Sequence, residues 1–157
     1  MITPSDIQAA IIARLQNTFP GEQIYEDLTP RHFKRPSNMV ELSRITAEQA
    51  GSSIVKFLFQ YKINTFAEVD EIHNTHLAVL DFRSMMILTA FSDPRIAVGE
   101  RAPAIVSCVA DTSSFDYATV TLTVSHTYDR SELTPEEIYP IMEDLALRTK
   151  TKEDSEA

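Results

Sequence analysis

The feature that most constrains this fold is a run of alternating apolar and polar side chains at residues 52–66. Its large apolar residues share one face, and these are Phe57, Phe59, Tyr61 and Ile63. Its polar residues share the other face, with Leu58 as the exception, and these are Lys56, Gln60, Lys62 and Asn64. Successive side chains of a β-strand point to opposite sides of the sheet, so the run predicts a long strand with one buried face.

A second strand is predicted just before this run. Pro36 excludes helix at its position, because it cannot donate a backbone hydrogen bond and pushes the preceding residue out of the α region. We therefore expect an extended segment after it, from residue 39 to about residue 46. The short connection at residues 48–52 contains Gly51, which can adopt a positive φ, so the two strands should form a hairpin.

The N-terminal segment carries the signals of a helix start. Thr3 can serve as N-cap, Pro4 suits the first turn, and Asp6 places a negative charge at the positive end of the helix dipole. Apolar residues then recur at every fourth position and form one stripe, which consists of Ile7, Ile11, Leu15 and Phe19. Because Pro20 and Gly21 end the segment, we predict a helix that lies on the sheet.

A central helix is predicted after the alternating run, because the apolar period changes from about Val69 onwards. One face would contain Leu77, Leu80, Ser84, Ile87, Leu88 and Phe91. The roughly opposite face would contain Val79, Phe82 and Met86. A helix that is apolar on two sides is either deeply buried or covered by a second subunit, and the sequence favours neither alternative.

The remaining segments complete the predicted topology. Strands are expected at Gln23–Glu26, 96–98, Ala104–Ala110 and 115–128, and a short C-terminal helix is expected to start at Thr134. Residues 151–157 should form a flexible acidic tail after a single domain at residues 1–150. The sequence therefore predicts an α+β domain with a mixed or antiparallel sheet of about five to six strands. An N-terminal helix and a central helix would pack on this sheet.

The charge balance limits the classes of partner. The 157 residues include 23 acidic and 14 basic side chains, which gives a formal net charge of −9. Nonspecific binding of nucleic acid is disfavoured, since that affinity depends on lysine and arginine at phosphates. Four basic residues nevertheless lie together ahead of the hairpin, and these are Arg31, His32, Lys34 and Arg35. They could contact an acidic patch of another copy, and a solvated loop is the alternative.

The sequence also bears on the cellular compartment. No apolar run approaches the roughly 18 residues of a membrane span, and the N-terminus lacks the features of a secretory signal. We therefore expect a soluble protein, made in the cytoplasm, with no membrane partner. The single cysteine, Cys108, stands in an apolar run and is expected to be a core residue.

Motifs for catalysis or cofactor binding are lacking in the sequence. The three glycines stand far apart, so they form neither a phosphate-binding loop nor a dinucleotide motif. His73 and His76 have no further histidine or cysteine placed to complete a metal shell. Neighbouring carboxylates such as Glu136 and Glu137 tend to point in different directions. We therefore expect no catalytic residues, no cofactor and no metal, which leaves association as the function.

One stretch of the sequence resembles a known family. Phe33, Lys34, Arg35, Pro36 and Ser37, followed by Val40, Glu41 and Leu42, are similar to a segment of the small tail-terminator (tail-completion) proteins of tailed phages and prophages of Gram-positive bacteria. The likeness extends to Met1, Ile2, Thr3 and Ile7, to Phe19 and Pro20 with Ile24 and Tyr25, and to the aromatic strand at residues 57–61. It covers mainly residues 1–65, and only the topology is similar afterwards.

The resemblance implies a structural virion protein and not an enzyme. Such subunits form a ring, usually a hexamer, on the finished tail tube, end its polymerisation and dock to the head connector or stopper protein. DNA would pass through the lumen without specific binding. The protein would be located at the head-proximal end of the tail, and in the host cytoplasm during assembly.

A head-to-tail ring needs two different complementary patches on each subunit. We expect one at the basic residues Arg31, Lys34 and Arg35, and we expect the other subunit contact at Val79, Phe82 and Met86. Two alternatives stay open. A head-to-tail joining or stopper protein would use the same kind of subunit. A small-ligand-binding or enzymatic α+β domain would instead contain a closed apolar pocket with converging polar groups.

Overall fold

The chain folds into helices packed on one sheet, as described by a computed structural model for residues 1–72, 74–111 and 116–133. The elements in order are α1 (Pro4–Thr18), β1 (Gln23–Glu26), β2 (Ser37–Gln49), β3 (Ile54–Phe66), α2 (Leu77–Ala90), β4 (Ala104–Ala110) and β5 (Ala118–Asp129). A 3-10 helix at Arg130–Leu133 follows β5. The predicted α+β class with an N-terminal and a central helix is confirmed. The helix predicted from Thr134 and the tail at residues 151–157 lie outside the described residues.

The strands form one mixed sheet in the order β1-β2-β3-β5-β4. β1 pairs in parallel with β2, whereas β2 with β3, β3 with β5 and β4 with β5 pair antiparallel. The predicted hairpin of β2 and β3 is therefore confirmed. β2 begins at Ser37, directly after the cis Arg35–Pro36 peptide bond. It is longer than predicted, because its pairing with β3 continues past a bulge as far as Gln49.

The core lies between the two helices and one face of the sheet. The predicted stripe of α1 is buried, and so are Leu80 and Ile87 of α2. The sheet contributes the predicted apolar face of β3 and alternate residues of β5, and its buried members are Phe59, Tyr61, Ile63, Val120, Leu122 and Val124. The intervening threonines of β5 are half-buried on the opposite face. Alternation therefore separates a core face from an open face across the sheet.

The N-terminal segment is attached to the sheet by a cap and by two tyrosines. Thr3 Oγ1 accepts from the backbone N of Asp6 at 3.2 Å, and Asp6 Oδ2 accepts from the backbone N of Thr3 at 2.8 Å, which completes a capping box. The Tyr61 hydroxyl donates to the Pro4 carbonyl at 2.7 Å. The Tyr128 hydroxyl donates to the Ile2 carbonyl at 2.9 Å. These bonds fix α1 across β3 and β5.

Two details of the predicted secondary structure are wrong. α2 begins at Leu77 and not near Val69, because the preceding chain turns at Asp70, whose Oδ1 accepts from the backbone N atoms of Ile72 and Asn74 at 2.9 Å each. Residues 96–98 form no strand, and only isolated bridges occur here, from Arg95 to Ala104 and from Val98 to Arg101, since the chain reverses at Gly99 with φ at +60°. Neither helix of the described chain is long and apolar enough to cross a membrane.

Candidate functional site

The outer face of α2 is an apolar surface that the described part of the chain leaves exposed. Val79 is 45%, Phe82 63% and Met85 64% exposed. The inner face of the same helix is buried, with Leu80 and Ile87 in the core. Of the two alternatives for a helix apolar on two sides, deep burial is therefore wrong. A surface of this kind is typical of a protein–protein contact.

The position of one predicted contact residue needs correction. Met86 is half-buried and packs against the core, while its neighbour Met85 projects outward. Both lie within a turn of Phe82, so the helical period does not distinguish them. Packing against the core decides which methionine is half-buried, and Met86 still lines the groove beside the face. The outer face thus consists of Val79, Phe82 and Met85.

A groove runs beside this face. It is lined by Thr18 from α1 and by Phe82, Met85, Met86, Thr89 and Ala90 from α2, and it encloses about 380 Å³. Its walls are mostly apolar, and it is open to solvent. The groove can therefore accept one aliphatic side chain of another molecule.

Carboxylates border the same surface. Asp81 lies on α2 between Val79 and Phe82, and Glu68 lines a cleft together with Val79. Among the described residues, neither of these two carboxylates forms an ion pair. The outer face of α2 is therefore apolar at its centre and acidic at its border.

The four basic residues ahead of β2 do not act as one group. Arg35 Nη2 lies 2.7 Å from Asp116 Oδ1, and the guanidinium packs over the rings of Phe33 and Phe66 at 4.9 and 5.3 Å. Only 17% of the Arg35 side chain is exposed. The prediction that Arg35 meets an acidic patch of a neighbour does not fit this geometry, because its carboxylate partner lies within the chain.

The remaining basic residues are exposed. Arg31, His32 and Lys34 form no ion pair within the described part of the chain. Leu28 stands beside them and is 81% exposed. We call residues 28–34 the basic loop. The loop therefore combines an exposed apolar side chain, Leu28, with two basic side chains, Arg31 and Lys34, that have no carboxylate partner among the described residues.

The basic loop and α2 lie on opposite faces of the sheet. The Thr65 hydroxyl accepts from Arg83 of α2 at 2.8 Å, so Thr65 is on the helix face. Phe66 follows it in the same strand and points to the other face. There it meets the ring of Phe33 from the basic loop at 4.7 Å between centroids. One subunit therefore presents two different surfaces on two different sides.

A buried ion pair holds the inner face of α2 in place. The sequence did not predict it. Arg83 donates to both carboxylate oxygens of Glu22, at 2.9 and 2.7 Å, and its guanidinium lies 4.4 Å from the Phe19 ring centroid. Side-chain exposure is 8% for Arg83 and 18% for Glu22. The available signal was an arginine on the side of α2 that also carries the buried residues Leu80 and Ile87. This pair holds the inner face of α2 against the α1–β1 turn and the start of β2.

The group of side chains that most resembles a catalytic site lies at the opposite end of the sheet. Arg101 Nη1 is 3.3 Å from His126 Nε2, and the same guanidinium contacts Glu132 at 3.1 and 3.4 Å. Burial, and then the positive charge of Arg101, lower the pKa of His126. The neutral imidazole can accept a hydrogen bond from the guanidinium, so its ring nitrogen is engaged within the cluster. This arrangement joins the 95–101 turn to β5 as a structural network.

The described residues contain neither a metal site nor a reactive thiol. Within residues 1–72, 74–111 and 116–133, no group of three His, Cys, Asp or Glu side chains could hold a metal ion. His73 lies outside these residues. Cys108 is half-buried, and burial raises the pKa of its thiol to about 11. The thiol is therefore protonated at neutral pH.

Two further cavities bear on ligand binding. An apolar one of about 150 Å³ lies against the hairpin and the N-terminus, with Ile45, Phe57 and Phe59 among its walls. A wider cleft of about 530 Å³ contains Asp6, Glu100 and Arg101 and is open to solvent. The apolar cavity has almost no polar lining, and the polar cleft is not enclosed. Neither combines the two properties expected of a small-ligand site.

Comparison with protein-family models gave no match for this chain, and comparison with curated proteins gave none either.

Proposed function

We propose that this chain is a structural virion subunit that assembles with copies of itself into a ring, a hexamer in the usual form. The ring would cap the phage tail tube, end tube polymerisation and dock to the head connector. The observation that carries the proposal is the outer face of α2, which the described residues leave exposed. The resemblance of residues 1–65 to tail-terminator proteins supports the ring on the tail tube as the assembly in which this face is a subunit contact.

The small area of this face suits a ring that becomes stable only when it assembles on a tail tube. Burying the exposed parts of Val79, Phe82 and Met85 contributes roughly 1 to 2 kcal/mol each, or about 3 to 6 kcal/mol in total. A dissociation constant of 1 mM corresponds to about 4 kcal/mol. Association itself costs at least about 4 kcal/mol in lost translational and rotational freedom, so the face alone supports at most very weak association. Several such contacts made together on a tail tube would give a stable ring.

The two surfaces also favour head-to-tail order. A ring requires a different patch on each side of the subunit, and the outer face of α2 and the basic loop lie on opposite faces of the sheet. The net charge of −9 disfavours adhesion of DNA to the lumen, because few cations are available for phosphates. A joining or stopper protein would share these properties, and the assay below separates the two roles.

The test is polymerisation of the phage's purified tail tube protein with and without this chain, followed by electron microscopy. The wild-type chain should shorten the tubes and add a ring at one tube end. Phe82→Ser should lose this effect, because it removes the largest side chain of the outer face. Val109→Ser is the matched control, since Val109 is 54% exposed on β4, away from α2.

Two results would contradict the proposal. Tubes of unchanged length with the wild-type chain would exclude capping. Binding of the chain to connectors but not to tube ends would indicate a joining protein.

A further inference from the structure

We infer that the basic loop of a second copy docks on the outer face of α2, so that copies associate head to tail. This inference rests on the self-association proposed above and names its two contact surfaces. It concerns residues 28–34 of one copy and the face formed by Val79, Phe82 and Met85 of the next.

Charge complementarity is the first support. The basic loop carries Arg31 and Lys34 without carboxylate partners in the described part of the chain. Beside the outer face of α2, Glu68 lines a cleft with Val79 and Asp81 is exposed on the helix, and neither has an ion-pair partner there. Opposite free charges on two surfaces of one protein steer copies into one relative orientation.

Shape is the second support. Leu28 projects from the basic loop with 81% of its surface exposed. The groove beside Phe82 and Met85 encloses about 380 Å³ and has mostly apolar walls. An aliphatic side chain that enters this groove removes apolar surface from water on both copies. The cations around Leu28 would then reach the acidic border.

The alternative occupant of the outer face is the same face of a second copy. Such a two-fold contact is self-complementary only if each residue meets a suitable counterpart. Here it would bring the acidic borders of both copies together, Asp81 of each helix included. Like charges placed opposite each other oppose association, so the basic loop is the better partner.

Cysteine cross-linking distinguishes these arrangements. The background is Cys108→Ala, which removes the only native thiol. Two exposed positions receive a cysteine in separate proteins, Leu28→Cys and Met85→Cys, and the proteins are oxidised alone and as an equimolar mixture. Arg44→Cys, exposed on β2, measures random collision when mixed with either protein. Far-ultraviolet circular dichroism checks that each variant is folded.

The mixture of Leu28→Cys and Met85→Cys should give more than tenfold the disulfide dimer of the Arg44→Cys mixtures. Predominant dimerisation of Met85→Cys alone would overturn the head-to-tail inference and leave self-association standing. Cross-linking at the level of Arg44→Cys in every combination would overturn the inference as well. The tube-length assay then decides separately whether the proposed capping function also fails.

Charge reversal gives an independent readout by sedimentation equilibrium. Lys34→Glu and Asp81→Lys should each weaken self-association about fivefold, a typical effect for an exposed ion pair. The double variant should recover most of the loss, because it restores opposite charges at every interface. Arg44→Glu is the control for net charge. A double variant weaker than both single variants would contradict the pairing.

Discussion

The buried pair of Arg83 and Glu22 makes the most quantitative prediction about this protein. Glu22→Ala leaves the Arg83 guanidinium buried with neutral acceptors only, chiefly the Thr65 hydroxyl at 2.8 Å. Removing one partner of a buried ion pair costs about 3 to 5 kcal/mol. We expect a loss of about 3 kcal/mol in the free energy of unfolding, because 18% of the Glu22 side chain is exposed and water can reach the charge that remains.

The measurement is urea unfolding followed by far-ultraviolet circular dichroism, since the chain contains no tryptophan. For a domain of this size, a loss of about 3 kcal/mol lowers the melting temperature by roughly 6 to 12 °C. Glu132→Ala is the matched control. It breaks another two-point contact between Glu and Arg, but the side chains of Arg101 and Glu132 are 45% and 30% exposed. The control should therefore lose less than about 1 kcal/mol.

A double variant tests the physical reason. Glu22→Leu with Arg83→Met removes both charges together and keeps apolar volume, so it should be more stable than Glu22→Ala. It should stay below the wild type, because the buried Asn38 and Thr65 each lose a hydrogen-bond partner. The reasoning would be refuted if Glu22→Ala lost no more stability than Glu132→Ala. It would also be refuted if the double variant were less stable than Glu22→Ala, because packing and not an unpaired charge would then dominate.

Three further predictions concern single groups. Tyr61→Phe should lower the free energy of unfolding by about 1 kcal/mol, since it removes the bond to the Pro4 carbonyl, and unchanged urea unfolding would contradict this. Stability should fall as the pH drops below about 6.5, because the pKa of His126 is lowered in the folded chain and the unfolded state binds the proton first. His126→Gln should reduce this slope, and an unaltered slope would exclude His126 as its source. The Cys108 thiol should react with iodoacetamide at pH 8 much more slowly in the native protein than in urea, because burial raises its pKa to about 11, and equal rates would contradict its burial.

The parts of the fold that the sequence predicted well are those governed by a local period. The alternating run places β3 at Ile54–Phe66, and the fourfold apolar repeat with its cap places α1 at Pro4–Thr18. Each pattern depends on neighbours within a few residues of one another, so it can be identified without the rest of the chain. The buried faces of β3 and β5 follow from the same alternation.

The contacts that define the candidate surfaces were decided only by tertiary structure. The sequence placed Arg35 in a contact with another copy, but the fold gives it Asp116 of its own chain as partner. It grouped Met86 with the outer residues of α2, but packing against the core leaves Met86 half-buried at the edge of the groove and Met85 exposed. Neither outcome follows from a local pattern, since the partner in each case comes from a distant part of the chain.

The sequence by itself determined the segments with a clear local period, α1, β3 and β5, and which of their sides are apolar. Only the tertiary structure decided which charges are paired within the described part of the chain. The physical reason is distance along the chain, because Arg83 and Glu22 are 61 positions apart and meet only after the sheet has formed. The placement of the basic loop and α2 on opposite faces likewise depends on tertiary contacts, because α2 packs on one face of β3 through Thr65 and Phe33 packs on the other through Phe66.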